Sequence, residues 1–243
     1  MVLEILDASG RVVRRWSSAD PVEPPRDEGN VPRWWVRPQR VPSADAGLHR
    51  FVWDLHWPAP AALEPSYPIA AVPHDTPREP RGPWALPGAY TVRLTVEGAS
   101  FTQPLDLGMD PRVKTPPAGL RRQLDLSFGL AQAMQQDYEA LTELRAMRAN
   151  LARSSGTPGA ADLDRRLAEL EGSKEERRPW LRKQVPALLP WNARLTELLE
   201  ALQTADVAPT PQLAQAAETT IREVAELASR WASLKRDAST LLR

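Results

Sequence analysis

The stretch LPGAYTVRLTVEGASFTQPLDL, residues 86–107, decides the fold of the first half of the chain. Apolar side chains recur at every second position over residues 90–96, and less cleanly over residues 101–107. A period of two with one apolar face is typical of half-buried β-strands. Residues 97–100 form the predicted turn, in which Gly98 can adopt the positive φ of a tight hairpin. The stretch therefore predicts an antiparallel β-hairpin.

Other segments of the first half have the same period of two. The strings VLEIL at residues 2–6 and RVVRRW at residues 11–16 flank a turn that ends at Gly10, and they predict a second hairpin. Residues 48–55 predict a further strand. Short antiparallel strands separated by turn signals are typical of an immunoglobulin-like sandwich. We therefore predict an immunoglobulin-like antiparallel β-sandwich over residues 1–112.

Proline separates the chain into two halves. Of its 25 prolines, 19 lie in the first 117 residues. Because proline breaks helix interiors and cannot donate to a strand ladder, the first half is predicted to consist of strands and extended loops. Residues 17–47 and 56–86 are longer than ordinary connections. We expect both to be extended, polyproline-like loops wrapped over the sandwich, or to be partly disordered.

The second half, residues 116–243, has apolar residues at helical spacing. Helices are predicted at about residues 117–152, 160–178, 188–205 and 210–242. At ~1.5 Å per residue, the first and last helices would each be roughly 50 Å long. Rods of that length need partners, so the sequence predicts an antiparallel bundle of three or four helices. The predicted fold class is therefore α+β, with two domains.

The last predicted helix carries an apolar seam. Its residues alternate spacings of three and four, a pattern typical of coiled-coil packing. We expect the seam to pack within the bundle, with Trp231 as a core residue. Alternatively, such a seam can join two copies of the chain in a homodimer formed through the long helices. The candidate interaction residues on it are Val224, Leu227, Trp231, Leu234 and Leu241.

Charge and composition exclude several classes of function. Lys and Arg total 31, as do Asp and Glu, and residues 1–116 carry 13 basic and 14 acidic groups. Neither half has the basic excess of a nucleic-acid or anionic-membrane binder. The absence of cysteine excludes disulfides, zinc–thiolate sites and cysteine nucleophiles. We read no signal peptide and no apolar run of the ~20 residues that span a bilayer, and the compartment is left open.

Catalytic and metal-binding residues are not predicted. The three histidines, His49, His56 and His74, lack the convergent spacing of metal ligands. A glycosidase needs two carboxylates at ~5 Å or ~6.5–9.5 Å across one sugar bond. The candidates by location are Asp54, Glu64, Asp75 and Glu79, but no spacing brings any two of them together. The prediction is therefore no catalytic residue, no metal and no cofactor.

Tryptophans in the Pro-rich loops are the candidate ligand-binding residues. Sugars stack on exposed aromatic faces, and binding residues are often carried on loops. Trp34, Trp35 and Trp57 are therefore candidates for a carbohydrate platform. The favoured alternative is that they anchor long loops, since ordering such loops has a large entropic cost that buried aromatics offset.

Five strings carry a family resemblance. They are LEILDASGRVVR at residues 3–14, GLHRFVWDL at 47–55, LPGAYTVRL at 86–94, MDPRV at 109–113 and ADVAPT at 205–210. The first resembles the start of a bacterial immunoglobulin-like module related to that of flagellar hook-capping proteins. Together they resemble the C-terminal region of bacterial BNR-repeat, sortilin-type β-propeller proteins. Those proteins are often labelled glycosyl hydrolases or exo-α-sialidases.

This resemblance spans nearly the whole chain and implies a tail module of a larger protein, with a β-propeller as its partner. Blade repeats and Asp-box strings are not found in the sequence, so no catalytic residue of that family is carried over. A strand expected before residue 3 is not recognised, and we expect a truncated gene, a split gene or a late start codon. A longer protein of this kind would allow export.

Two functions follow as expectations. The favoured one is a non-catalytic structural or interaction module, normally the C-terminal tail of such a propeller protein. The alternative is a carbohydrate-binding accessory module of a glycosyl hydrolase-like protein, with a glycan as partner. A hydrolase in its own right is the least favoured interpretation, with Asp54 as its best candidate residue.

Overall fold

The computed structural model has an α+β fold, as the sequence predicts: a four-stranded antiparallel sheet followed by four helices. The chain divides into two compact units. The sheet unit comprises Met1–Ala59, Glu64–Leu124 and Asp206–Ala208, and the helical unit comprises the rest. The structure describes residues 1–22, 24, 31–63, 67–68, 70–153, 158–173 and 186–241.

Both predicted hairpins are present in the sheet. Its strands are β1 (Val2–Asp7), β2 (Val12–Ser17), β3 (Gly88–Val96) and β4 (Ala99–Leu107). They lie in the order β2-β1-β3-β4, and each neighbouring pair is antiparallel. The turn between β3 and β4 consists of two residues with positive φ, 49° and 84°. This geometry matches the twist of the strands and joins them tightly.

A row of apolar side chains crosses one face of the sheet, since side chains alternate between the two faces along each strand. Leu3 of β1 lies opposite Trp16 on one side and Leu94 on the other, and Leu94 lies opposite Phe101. The four residues form one row across all four strands. Phe101, on the edge strand, is 62 % exposed, so burial of this face decreases toward β4.

The predicted strand at residues 48–55 is wrong, because the segment pairs with no strand. It is irregular and lies against the sheet instead. The ring of Phe51 lies 4.9 Å from that of Trp16, and the ring of Trp53 lies 5.7 Å from that of Tyr90. The alternating apolar residues of this segment therefore reflect packing on a sheet. A segment that packs on a sheet and a strand that pairs within it both require a period of two.

The described parts of the Pro-rich segments are irregular, as the proline content predicts. A short 3₁₀ helix, Arg33–Trp35, is their only helical turn among the described residues. Two isolated bridges tie distant parts together: Val36 pairs with Thr76, and His56 pairs with Trp84. The described portions are therefore held by specific backbone contacts.

The helices are α1 (Pro117–Arg153), α2 (Ala160–Glu171), α3 (Leu188–Leu202) and α4 (Pro211–Leu241). Three agree with the prediction to within a few residues. The second ends before the predicted residue 178, because Gly172 caps it with a φ of 75°, and residues 174–178 lie outside the described part. None of the described helices is long and apolar enough to cross a membrane.

All four helices contribute to one apolar core. Val224, Leu227, Trp231 and Leu234, four of the five candidate seam residues, are buried in it, while the side chain of Leu241 lies outside the described residues. These four are core residues of the chain itself, so a homodimer would have to use another surface. Fully buried side chains of this core include Leu130, Met134, Leu141, Leu144, Leu167, Leu170, Leu188, Leu195 and Leu199.

Candidate functional site

An arginine-rich cleft of about 900 Å³ lies in the sheet unit. Its walls come from strand β2 and from three irregular segments, residues 37–40, 51–59 and 75–82. Six arginines line it: Arg14, Arg15, Arg37, Arg40, Arg78 and Arg81. Three aspartates line it as well: Asp20, Asp54 and Asp75.

Backbone hydrogen bonds fix the irregular walls of the cleft. Arg37 N donates to Thr76 O at 2.8 Å, and Thr76 N donates to Trp35 O at 3.0 Å. On the opposite segment, Trp57 N donates to Pro83 O at 2.8 Å. These bonds satisfy buried polar groups that the loops would otherwise leave unpaired. They hold the arginine-bearing segments in one conformation.

The backbone at Gly82, in the wall of the cleft, lies very close to residues 57–58. A Cβ atom placed there would lie 2.0 Å from Trp57 O and 2.5 Å from Pro58 O. Both contacts are with backbone atoms, which cannot rotate away. Only glycine therefore fits this position without moving residues 57–58.

Two aspartates of the cleft are paired with arginines. Asp75 Oδ1 lies 2.8 Å from Arg37 Nε and 3.8 Å from Arg40, so one carboxylate is held between two guanidinium groups. Asp20 lies 3.7 Å from Arg15. Arg37 and Arg40 therefore hold the planar carboxylate of Asp75, a group that matches the forked donors of a guanidinium.

Arg14 differs from these arginines. Its Nε is enclosed and has no hydrogen-bond partner among the described residues. The guanidinium carbon lies 5.1 Å from the ring centroid of Trp16. Burial lowers the pKa of Arg14, and the nearby Asp54 carboxylate partly opposes this shift. An arginine remains protonated in proteins, so the cleft contains a partly buried cation with an unused donor.

His56 lines the same cleft and is 2 % exposed. Its Nδ1 lies 2.7 Å from the Asp54 carbonyl oxygen, and its ring centroid lies 3.7 Å from that of Trp84. Because a carbonyl only accepts, Nδ1 carries the proton and Nε2 is the acceptor. Burial lowers the pKa of His56 to about 4, although Asp54 opposes this shift. His56 is therefore neutral at pH 7.

The structure brings only one of the three candidate tryptophans to the cleft. Trp57 lines it and is 8 % exposed, with the guanidinium carbon of Arg11 4.3 Å from its ring centroid. Trp34 is 58 % exposed, Trp35 is half-buried, and neither lines the cleft. Trp16 and Phe51 also line it but were not among the candidates. The sequence signal that could have identified these two residues was their position in segments with alternating apolar residues.

The other residues considered from the sequence are scattered. Glu79 pairs with Arg81 at 3.8 Å, and Glu64 lies outside the described residues. His49 and His74 are exposed and do not line the cleft. Over the described part of the chain, no group of three or more His, Asp or Glu residues can hold a metal ion.

Arginines are concentrated around the cleft. Six of them line it together with three aspartates, and one of the six, Arg81, pairs with Glu79, which is not a lining residue. Sequence reasoning missed this concentration because the charges of residues 1–116 balance overall. The available signal was the clustering of the arginines at residues 14–15, 37–40 and 78–81, each cluster falling in a separate segment.

Comparisons with known proteins provide no name for this arrangement. No family model, no curated protein and no solved structure matches the chain.

Proposed function

We propose that the chain is a non-catalytic structural or interaction module from the C-terminal region of a BNR-repeat, sortilin-type propeller protein. The non-catalytic part of this proposal rests on the chemistry of the cleft. Its described lining contains no Ser, Thr, Tyr, Cys or Lys, so hydroxyl, thiol and amine nucleophiles are lacking there. Asp20 and Asp75 are paired with arginines, and His56 is enclosed. Such a cleft is suited to binding.

We also propose that the sheet unit is an immunoglobulin-like sandwich in which an extended segment covers the sheet. Supporting this, Tyr90 Oη donates to Leu86 O at 2.6 Å. A tyrosine that bonds the backbone a few residues upstream resembles the tyrosine corner of such sandwiches. The packing of Phe51 and Trp53 on the sheet supplies a second apolar layer.

For the helical unit we propose an antiparallel bundle. Its support is the apolar core to which α1, α2, α3 and α4 all contribute. Long helices that share one apolar core pack most economically in this way.

The relation to propeller proteins is supported by where the resembling strings lie. Residues 3–14 form the β1–β2 hairpin, and residues 86–94 lead into β3. Residues 47–55 include the segment that packs on the sheet. These three of the five strings therefore coincide with structural parts of the sheet unit, and this supports the proposed relation.

Two experiments test this function. The DNA upstream of Met1 is expected to encode an in-frame propeller, and a stop codon directly upstream would contradict the tail proposal. The purified chain is expected to release no product from chromogenic glycosides, sialosides included. Turnover that Asp54→Asn abolishes would overturn the non-catalytic proposal.

A carbohydrate-binding function is the second candidate, and one observation favours it. Three aromatic residues, Trp16, Phe51 and Trp57, line the cleft. Titration calorimetry with neutral oligosaccharides is expected to give binding that Trp57→Ala weakens and Trp34→Ala leaves unchanged, since Trp34 lies outside the cleft. Absence of heat with every saccharide would remove this candidate.

A further inference from the structure

We propose that an apolar pocket at the start of α1 binds a small amphipathic carboxylate, a molecule with an apolar tail and one negatively charged head, such as a medium-chain fatty acid. The pocket shares no described lining residue with the arginine-rich cleft, and the proposed module function does not use it. The inference rests on the apolar walls of the pocket, on the bonds that hold these walls, and on the arginine that lines it.

The pocket lies entirely within the sheet unit. Its volume is about 550 Å³, within the ~300–1,000 Å³ of typical small-molecule sites. Its lining comes from the two residues before β3, from the segment between β4 and α1, and from the start of α1. The space is therefore suited to a small molecule.

Apolar side chains make up most of the walls. Seven of the nine described lining residues are apolar, and Leu86, Met109 and Val113 among them are only half-buried. Covering half-buried apolar surface with another apolar group removes it from water, which is favourable. The part of the ligand inside the pocket is therefore an alkyl chain or ring without polar groups.

Hydrogen bonds hold the walls of the pocket. Tyr90 Oη donates to Leu86 O at 2.6 Å, which fixes the segment before β3. A backbone bond of 2.9 Å closes the turn at residues 110–113, and Thr115 Oγ1 donates to Asp206 O at 2.6 Å. The pocket is therefore largely pre-formed, so binding a ligand requires little further ordering of the chain.

Arg121 determines the charge of the ligand. It is exposed, lines the pocket and forms no hydrogen bond or ion pair with any described residue. No acidic residue is among the described lining residues, and the nearby Asp110 is already paired with Arg112 at 2.7 Å. The guanidinium group of Arg121 is therefore available to a carboxylate, which matches its forked donors. One such group favours a head with a single negative charge.

The test is ¹³C-methyl NMR of the full chain labelled at methionine. Of the four methionines, Met109 lines the pocket, whereas Met134 is fully buried in the helical core. The signal that disappears in Met109→Leu is assigned to the reporter. We expect octanoate at pH 7.5 to shift the Met109 signal in a saturable way and to leave the Met134 signal unchanged.

Three probes with the same tail test the charge of the head. Octanoate is expected to bind about threefold or more tightly than the neutral 1-octanol, a difference within the range of an exposed ion pair. The cationic octylammonium is expected to bind more weakly than 1-octanol, because Arg121 repels it.

Variants locate the head and the tail. Arg121→Gln is expected to abolish the preference for octanoate over 1-octanol and to leave the affinity for 1-octanol unchanged. Ala118 is exposed and lines the pocket, so Ala118→Phe is expected to obstruct it and weaken all three probes. The matched control is Arg50→Gln, which should retain the preference, since Arg50 is an exposed arginine of the sheet unit outside the pocket.

Four outcomes would overturn the inference. They are no saturable shift of Met109 with octanoate, a parallel shift of Met109 and Met134, equal affinity of the wild-type chain for octanoate and 1-octanol, and equal effects of the two arginine variants. Because these titrations depend neither on an upstream propeller nor on glycoside turnover, their failure is distinguishable from failure of the module function.

Discussion

Asp137 is a buried carboxyl group in a core that is otherwise mostly apolar. It is 1 % exposed, its Oδ2 accepts a hydrogen bond of 2.9 Å from Asn192 Nδ2, and its Oδ1 has no partner among the described residues. Burial raises the pKa of Asp137 to about 7, although the bond from Asn192 opposes this shift. The ionised form is therefore unfavourable in the folded chain.

This arrangement predicts the pH dependence of Asp137→Asn. The folded pKa lies above the unfolded value, so the protonated group's contribution to stability is fully present below pH ~4. It is lost as the pH rises to about 7. Asparagine keeps the shape without the charge, so we expect the variant to be more stable than wild type by ~2–4 kcal/mol at pH 8.

The measurement is urea unfolding of both proteins at pH 4 and pH 8. The gain is expected to shrink toward zero at pH 4, where the wild-type carboxyl is protonated. Asp125→Asn is the control, because Asp125 is exposed on the same helix. A stability gain that is equal at both pH values would contradict the assignment of a buried, titrating carboxyl group.

His56 predicts the opposite dependence in the sheet unit. Burial lowers its pKa from 6.5 to about 4, so the neutral group's contribution to stability is present above pH 6.5 and is lost as the pH falls toward 4. His56→Phe keeps an uncharged ring against Trp84. We expect its unfolding free energy to vary less between pH 6.5 and 4, by up to ~3 kcal/mol.

Urea unfolding across that range measures the difference. The exposed His49 provides the matched control, and His49→Phe should retain the wild-type pH profile. If His56→Phe and wild type lose stability in parallel between pH 6.5 and 4, His56 is not the buried neutral group described above.

At the scale of elements, the seam of α4 tests whether the last helix is a core element. Leu227 is 1 % exposed within the apolar core of the helical unit. Leu227→Ala removes buried apolar atoms and leaves a cavity, so we expect a loss of ~2–5 kcal/mol in unfolding free energy. Its neighbour Glu226 is exposed, and Glu226→Ala is expected to change stability little.

Sedimentation of the same two variants addresses the homodimer. Since the seam is used inside the chain, Leu227→Ala is expected to leave the oligomeric state unchanged. Dissociation of a wild-type dimer by this variant, with no loss of stability in the subunit, would instead show that the seam joins two chains.

The backbone approach at Gly82 gives an element-level prediction for the cleft. Gly82→Ala places a Cβ against backbone oxygens of residues 57–58, so we expect a loss of ~1–3 kcal/mol. Gly108 has open space around its Cα and no positive φ. Gly108→Ala is therefore the control, expected to be nearly neutral, and equal unfolding midpoints for the two variants would contradict the fixed cleft wall.

Elements with a strong local signal were predictable. The hairpin at residues 86–107 and helices α1 and α4 follow from periodicity and from proline positions. Residues 48–55 were not, because packing on a sheet and pairing within one require the same alternation. The early end of α2 depends on Gly172, which can either continue a helix or cap it.

At the scale of the whole molecule, the sequence did not reveal the cleft because its lining residues are far apart along the chain. The net charge of the chain is zero, and the arginines of the cleft come from three separate segments. Only the tertiary contacts bring them together, through bonds such as that between Arg37 and Thr76. Local patterns carry no information about such long-range contacts, so Trp57, Asp54 and Asp75 were named as candidates without their shared site.

Mass spectrometry of the protein isolated from its source tests the proposed propeller tail most directly. The account predicts that peptides of residues 1–243 belong to one polypeptide together with peptides of an upstream propeller. A native polypeptide whose N-terminus is Met1 would contradict the tail proposal.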